Sequence, residues 1–180
     1  MENNITPFSL VYDSFTQKIT DDMYIVLNKI DTDKLMEELL ISAIPHFEFP
    51  RVNINDYTES YTGDETTYKG VESDYMEVSS FPLLGGCFNC VLSKEEINIL
   101  ATYMVVEWLG QQIASIENIR MKYTGTDFKM TSQANHLHKL MQLREKYVNE
   151  GFHLQRLYKR RKRDENGIYR STFGTIMDKE

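Results

Sequence analysis

Two cysteines near the middle of the chain have the spacing that most clearly indicates chemistry. Cys87 and Cys90 form a C-x-x-C pair, a pattern found in zinc sites and in redox-active dithiols. A structural zinc ion needs four ligands, and the four histidines show no paired ligand spacing. A redox pair would open a helix directly after a strand, whereas Val91, Leu92 and Ser93 intervene here. We therefore interpret the pair as two small, buried, reduced side chains in a strand-like segment.

Other patterns that would indicate catalysis do not occur in the sequence. No Ser/His/Asp or Cys/His arrangement follows a local motif, and no glycine-rich loop is placed to hold a phosphate. The acid-rich stretch 56–77 lacks the regular ligands and the glycine of a calcium loop, which favours a solvated face. Tyr147, Phe152 and Tyr158 have helical spacing, which favours core packing over a recognition stripe. We therefore expect that the protein is not an enzyme and that it has no metal site and no cofactor.

A basic run near the C-terminus is the strongest indication of a binding surface. Lys159–Arg163 are all basic, and they follow a long amphipathic segment that is weakened only by Gly151. Three interpretations are open for the run. It is a solvated end that suits the negative C-terminus of a helix, a contact for nucleic acid or nuclear import, or a docking patch for an acidic groove on another protein.

The tail after the basic run favours docking. It interleaves aromatic and β-branched residues with polar ones, which suits strand addition to a partner or insertion of side chains into its pockets. We therefore predict a rigid helix that carries a docking tail. The predicted partner-binding residues are Tyr158, Lys159, Arg160, Arg161, Lys162, Arg163, Ile168, Tyr169, Arg170, Phe173 and Ile176.

Charge and hydropathy limit the possible classes of protein. The chain has 180 residues, a hydrophobic content of 41% and an aromatic content of 12%, which fit one folded domain. Its formal charge is −7 although Lys159–Arg163 are basic, so the rest of the chain is strongly acidic and most of its surface should repel DNA. There is no long apolar run and no basic, apolar start typical of a signal peptide. We expect the protein to be made in the cytosol and kept there, or packaged in a particle assembled there.

Hydrophobic periodicity predicts two shorter helices in the first quarter of the chain. Thr6-Pro7 resembles an N-cap followed by proline at the first helical position, and this helix should end near Thr20. Asp31-Thr32-Asp33 should cap the second helix, which Pro45 should stop.

Two long helices should follow later in the chain. Ser93-Lys-Glu-Glu96 is a capping box that opens a helix running to about Lys122. Thr131 or Ser132 should cap the last helix, and the short connection predicts an antiparallel pair. Between the early and the late helices, residues 48–78 hold eight acids and two bases, and Tyr68–Phe81 resembles short strands, so we predict a hairpin. The predicted fold class is mainly α: a helical bundle with two long antiparallel helices, a small β-hairpin element and an extended C-terminal tail.

Several short strings resemble the head-to-tail adaptor, or connector, proteins of tailed bacteriophages. The resemblance covers about two thirds of the chain and does not place residues 52–80. Its strings are Phe15–Met23, Leu39–Phe47 with Phe49-Pro50-Arg51, and the block Ile99–Tyr147, which includes Trp108-Leu109, Asn118-Ile119-Arg120, Tyr123–Phe128 and Ser132–Leu137.

The resemblance implies a virion protein of the phage neck that forms a dodecameric ring below the portal. It implies a helical adaptor domain over 1–163 and a docking tail over 164–180, and the strand-like residue pattern itself predicts a β-element at about 52–92 within that domain. Expected partners are the portal protein, neighbouring adaptor protomers and further neck or tail proteins, with DNA passing through the lumen and no membrane. Two alternatives stay open: another neck or tail component, such as a tail terminator or baseplate protein, and a helical nucleic-acid-binding regulator that uses Lys159–Arg163.

Overall fold

The computed structural model describes residues 5–19, 29–59, 86–122, 130–163 and 169–171, and four α-helices account for most of these described residues. The helices are α1 (Ser9–Thr16), α2 (Lys29–Ala43), α3 (Lys94–Lys122) and α4 (Met130–Arg160), with a 3-10 turn at Ile44–His46 after α2. The predicted mainly helical fold is therefore confirmed. No described helix has the length and apolar character needed to cross a membrane.

The first half of α3 forms the centre of the hydrophobic core. Helices α1, α2 and α4 all pack against α3, and each fully buried apolar side chain is expected to contribute about 1.5–3 kcal/mol to stability. From Gly110 to Asn118, no residue of α3 is buried. The largest fully buried side chains are Phe8, Val11, Phe15, Leu39, Leu40, Ile54, Phe88, Ile99, Leu100, Met104, Val105 and Leu109.

Contacts between the two long helices run in opposite order along their sequences. Glu96 at the start of α3 is hydrogen-bonded to Tyr158 near the end of α4. Tyr103 is hydrogen-bonded to Gln155 and lies against Gly151. Further along α3, Gly110 lies beside the guanidinium of Arg144. The end of α4 that leads to the basic run therefore lies beside the start of α3.

A small antiparallel sheet joins three distant parts of the chain. Its order is β1 (Thr6–Pro7), β3 (Cys87–Phe88), β2 (Tyr57–Thr58), with β3 in the centre. Phe88 pairs with both Thr6 and Tyr57, and Cys87 pairs with Pro7 and Thr58. The predicted β-element at about 52–92 contributes two strands, β2 and β3, to this sheet. The strands predicted within Tyr68–Phe81 lie outside the described residues.

The prediction that Thr6-Pro7 begins a helix is wrong. These residues form β1, and α1 begins at Ser9 without a side-chain cap. The Thr6 hydroxyl donates to the carbonyl of Cys90 and accepts from the backbone N–H of Leu92, both at 2.8 Å. The Thr6 hydroxyl therefore forms hydrogen bonds with a distant segment of the chain and does not cap α1.

Helix boundaries agree with the sequence in α3 and differ elsewhere. The capping box is confirmed, because Ser93 and Glu96 exchange hydrogen bonds and the helix runs from Lys94 to Lys122. Helix α2 already begins at Lys29, so Asp31–Asp33 lie inside it rather than at its cap. Helix α4 begins at Met130, just before the predicted caps Thr131 and Ser132.

The basic run is helical in its first two residues and extended in its last three. Helix α4 ends at Arg160, and Arg161–Arg163 form β4, which pairs antiparallel with β5 (Tyr169–Ser171). The described part of the predicted tail, β5, thus folds back onto the basic run as a two-stranded ribbon.

Candidate docking site at the end of the long helices

Arg51 closes the C-terminal end of α4. Its guanidinium donates to the backbone carbonyl of Tyr158 at 2.5 Å and to that of Arg161. The guanidinium also lies over the Tyr158 ring, 4.0 Å from its centre. The last carbonyls of a helix have no partner within the helix, and a cation there is favoured by the helix dipole. Arg51 therefore fixes the point at which α4 ends and β4 begins.

Glu96 connects this helix end to the start of α3. Its side chain is buried, and one carboxylate oxygen accepts from the Tyr158 hydroxyl. The other oxygen accepts from the backbone N–H and the hydroxyl of Ser93, both at 2.7 Å. Burial and the hydrogen bond to Glu96 raise the pKa of Tyr158 well above its ordinary value. Tyr158 therefore stays protonated and acts as the donor to the carboxylate.

Gln155 holds the segment that leads to Arg51. Its amide nitrogen donates to the carbonyl of His46 at 2.8 Å and to the hydroxyl of Tyr103 at 2.6 Å. Its amide oxygen accepts from the backbone N–H of Glu48 at 2.9 Å. The His46 ring stacks on Tyr103 and its Nε2 lies 2.8 Å from the Glu107 carboxylate. Burial raises the pKa of Tyr103. Residues 46–51 are thereby fixed against both long helices.

A groove of about 340 Å³ lies between this segment and the last turns of α4. Two large apolar rings line it and remain accessible, Phe49 at 52% exposure and Phe152 at 44%. The Lys159 ammonium lies over the Phe49 ring, 4.1 Å from its centre. The groove thus combines exposed aromatic surface with positive charge. Its lining residues are Glu48, Phe49, Asn149, Phe152, Gln155, Arg156 and Lys159.

The predicted docking residues fall into three groups. Tyr158 is 2% exposed, so its side chain packs in the core of this structure, and its predicted part in docking stays a prediction. Lys159 and Arg160 are exposed at the end of α4, and Arg161 is paired with Glu95 at 2.6 Å. Of the others, Lys162, Arg163, Tyr169 and Arg170 lie in β4 and β5, and Ile168, Phe173 and Ile176 lie outside the described residues.

The cysteine pair shows the chemistry of free thiols. Cys87 and Cys90 are not bonded to each other and are half-buried, less enclosed than the sequence interpretation expected. Burial, then the nearby carboxylates of Glu96 and Asp56, raise the pKa of the Cys90 thiol. A raised pKa disfavours the reactive thiolate. Within the described part of the chain, no group of three or more His, Cys, Asp or Glu side chains could hold a metal ion.

Sequence reasoning missed the residues that position this site. Arg51, Phe49 and Gln155 lie far from the basic run or on the helix before it, and nothing in their local sequence marks them as partners. Besides the basic run, the capping box was a local signal at this site, and it identified Glu96 as a helix-capping residue without indicating Tyr158 as its second partner.

No protein-family model, no curated protein and no solved structure matches this chain.

Proposed function

We propose that this chain is a structural adaptor of a tailed-phage neck, which forms a ring, docks on the portal through its C-terminal tail and lets DNA pass. The single observation that carries the proposal is the ribbon of β4 and β5 at the end of α4. The ribbon begins at a helix end that Arg51 and Glu96 fix to the body. A docking element with this base would be presented in a defined direction.

The ribbon has the properties of an element that is completed by a partner. It consists of two short strands, and no third strand among the described residues pairs with it. A two-stranded ribbon is at best marginally stable in water. Its outer edges offer unpaired backbone groups, which suit strand addition. Lys162 also pairs with Arg170 in the register, which places two basic residues opposite each other in the ribbon.

Charge and helical architecture support the ring part of the proposal. In the proposal α3 and α4 form a rigid antiparallel pair, and the family resemblance implies a dodecamer. Apart from Lys159–Arg163 the chain is strongly acidic, so a ring lumen formed by its body would not hold DNA. Ring closure requires head-to-tail contacts between two different surfaces of neighbouring protomers. No catalytic step is part of this function.

Electron microscopy of portal particles mixed with this chain tests the proposal. We expect the full chain to add a ring of density continuous with the portal. A chain lacking 164–180 loses β5 and the rest of the tail, so it should keep its helical circular dichroism and thermal transition but lose the added ring. A matched control that lacks only 172–180 separates the ribbon from the last residues. Undiminished portal binding by the chain lacking 164–180 would contradict tail docking.

The pairing of two basic residues, Lys162 and Arg170, in the ribbon also favours a second function, binding of nucleic acid. In that case the affinity for DNA would fall steeply as salt increases, because released counterions drive the binding. Neutralising Lys159–Arg163 would abolish the affinity. DNA binding that is weak and insensitive to these substitutions would leave the adaptor proposal as the better one. A chain that assembles with tail proteins and ignores the portal would indicate a tail terminator or baseplate component.

A further inference from the structure

The groove beside Phe49 and Phe152 has a chemistry that the proposed function does not use. Both rings are about half exposed, although large apolar side chains gain by burial. Arg156 and Lys159 line the same groove and are exposed, with Glu48 as its one acid. An occupant that covers this groove should therefore bring aromatic rings for the two phenylalanines and carboxylates for the two cations.

The chain itself contains a segment with that composition. Residues 60–79 hold three tyrosines spaced seven apart, five acids and one lysine. Each tyrosine has an acid within four positions, so one ring and one carboxylate can reach a site together. The tyrosines are Tyr61, Tyr68 and Tyr75, and the acids are Asp64, Glu65, Glu72, Asp74 and Glu77.

We infer that this groove binds the acidic, tyrosine-bearing segment 60–79 of a neighbouring copy of the chain. The inference rests on the proposed ring, since it names the contact that joins successive protomers. A closed ring needs two different complementary surfaces on each protomer, and the cationic aromatic groove and the acidic segment are such a pair. Interfaces favour aromatic anchors and arginine, both of which the groove presents.

A charge-swap experiment on the full chain tests the contact. One variant makes the groove acidic (N149E with R156E) and leaves Lys159 and the tail unchanged. A second variant makes the segment basic (E72K with D74K). Analytical ultracentrifugation should show each variant associating about tenfold more weakly than wild type, or worse. An equal mixture should recover assembly, because an acidic segment then meets a basic groove and a basic segment meets an acidic groove.

A matched control carries the same change in charge elsewhere on α4. K146E with H153E alters two exposed positions that do not line the groove, and this variant should associate like wild type. Thermal unfolding of every variant checks that the body is intact.

Distinct outcomes separate this inference from the proposed function. Wild-type assembly by the groove variant would overturn the contact while leaving the ring and portal docking in place. Loss of assembly in both single variants without recovery on mixing would show that the groove and the segment do not pair between copies, and would also overturn the inference. A wild-type chain that never self-associates, alone or on portal particles, would contradict the ring and this contact together.

Discussion

The hydroxyl of Tyr158 donates a hydrogen bond to the buried carboxylate of Glu96, across 62 positions of sequence. The bond joins the last turns of α4 to the first turn of α3. The backbone N–H of Arg51 donates to the same hydroxyl at 3.0 Å, so three distant parts of the chain meet at one oxygen. The base of the proposed docking ribbon is therefore held by the core itself.

Replacing Tyr158 with phenylalanine should destabilise the fold by about 1–3 kcal/mol, because Glu96 and the Arg51 N–H each lose a partner in a buried place. The cost should also depend on pH. An unfolded tyrosine loses its proton near pH 10, whereas burial and Glu96 raise the pKa of Tyr158 in the fold. Above about pH 10 the folded state therefore binds more protons than the unfolded state, and the unfolding free energy falls as pH rises.

The stabilisation from this pKa shift is complete below about pH 10 and is lost progressively above it. The wild-type advantage over Tyr158→Phe should shrink by about 1.4 kcal/mol for each pH unit above about 10. Urea unfolding of both proteins at a series of alkaline pH values measures this difference. Tyr103, whose pKa burial also raises, is present in both proteins and cancels. An advantage that stays constant with pH would contradict the role given to the Tyr158 hydroxyl.

Glu96 should be the most sensitive carboxylate at this end of the molecule. Glu96→Ala removes the reciprocal cap at Ser93, worth about 1 kcal/mol, and leaves the Tyr158 hydroxyl without its acceptor, worth about 1–3 kcal/mol. Glu96→Gln keeps an acceptor and should cost clearly less. In a double-mutant cycle with Tyr158→Phe, chemical denaturation should give a coupling energy of about 1 kcal/mol or more. Simple additivity would show that the two residues act independently.

The two glycines of the long helices should respond oppositely to alanine. At Gly151 an added Cβ would lie 2.7 Å from Cζ of the Tyr103 ring, so Gly151→Ala should destabilise by about 1–3 kcal/mol through overpacking. At Gly110 the nearest atom is Nε of Arg144 at 3.6 Å, an ordinary contact. Gly110→Ala should therefore gain up to about 1 kcal/mol from helix propensity. Thermal unfolding of the two variants measures both effects. Stabilisation by both substitutions would contradict the close approach at Gly151.

Arg51→Ala should loosen the end of α4 with little effect on the rest of the fold. The carbonyls of Tyr158 and Arg161 lose their donor, so amide hydrogens of residues 159–163 should exchange faster. Trypsin should also cut the basic run sooner. Arg51→Lys should rescue only part of the effect, because an ammonium lacks the planar fork that serves two carbonyls.

The control for Arg51 is Lys34→Ala, which removes an exposed charge from α2. It should leave exchange at 159–163 unchanged. Equal exchange in wild type and Arg51→Ala would show that the interactions with Glu96 and Glu95 fix the ribbon base without Arg51.

The sequence predicts the parts of this fold that local interactions determine. The Ser93–Glu96 capping box lies within four residues, and it identified the start of α3 correctly. In the first half of α3 every residue from Ile99 to Val106 is buried, so helical periodicity alone does not predict the extent of its burial. The prediction for Thr6-Pro7 was wrong because these residues pair with Phe88 and Cys87, which are distant in sequence. The same two residue types can begin a helix or form a strand, and the distant partner decides which.

The candidate site could be predicted only in part, for a similar reason. The basic run is a local pattern, and its exposed lysine and arginines were found from composition. Tyr158 adjoins that run, and its burial depends on Glu96 and Arg51, which lie 62 and 107 positions away. The sequence marks Gly151 as a residue that weakens the helix, whereas the tight contact with Tyr103 gives it a packing role.

The pairing of Thr58 with Cys87 brings together the two ends of a long stretch of chain. The stretch between them therefore starts and ends at one place on the body. Closing such a stretch becomes only slightly more costly as it lengthens, by about 0.6 kcal/mol for each doubling. The same body can therefore accept longer, shorter or foreign sequence between these strands. This is where related proteins would be expected to differ most in length, and where a tag or a new binding peptide could be inserted with the least penalty to folding.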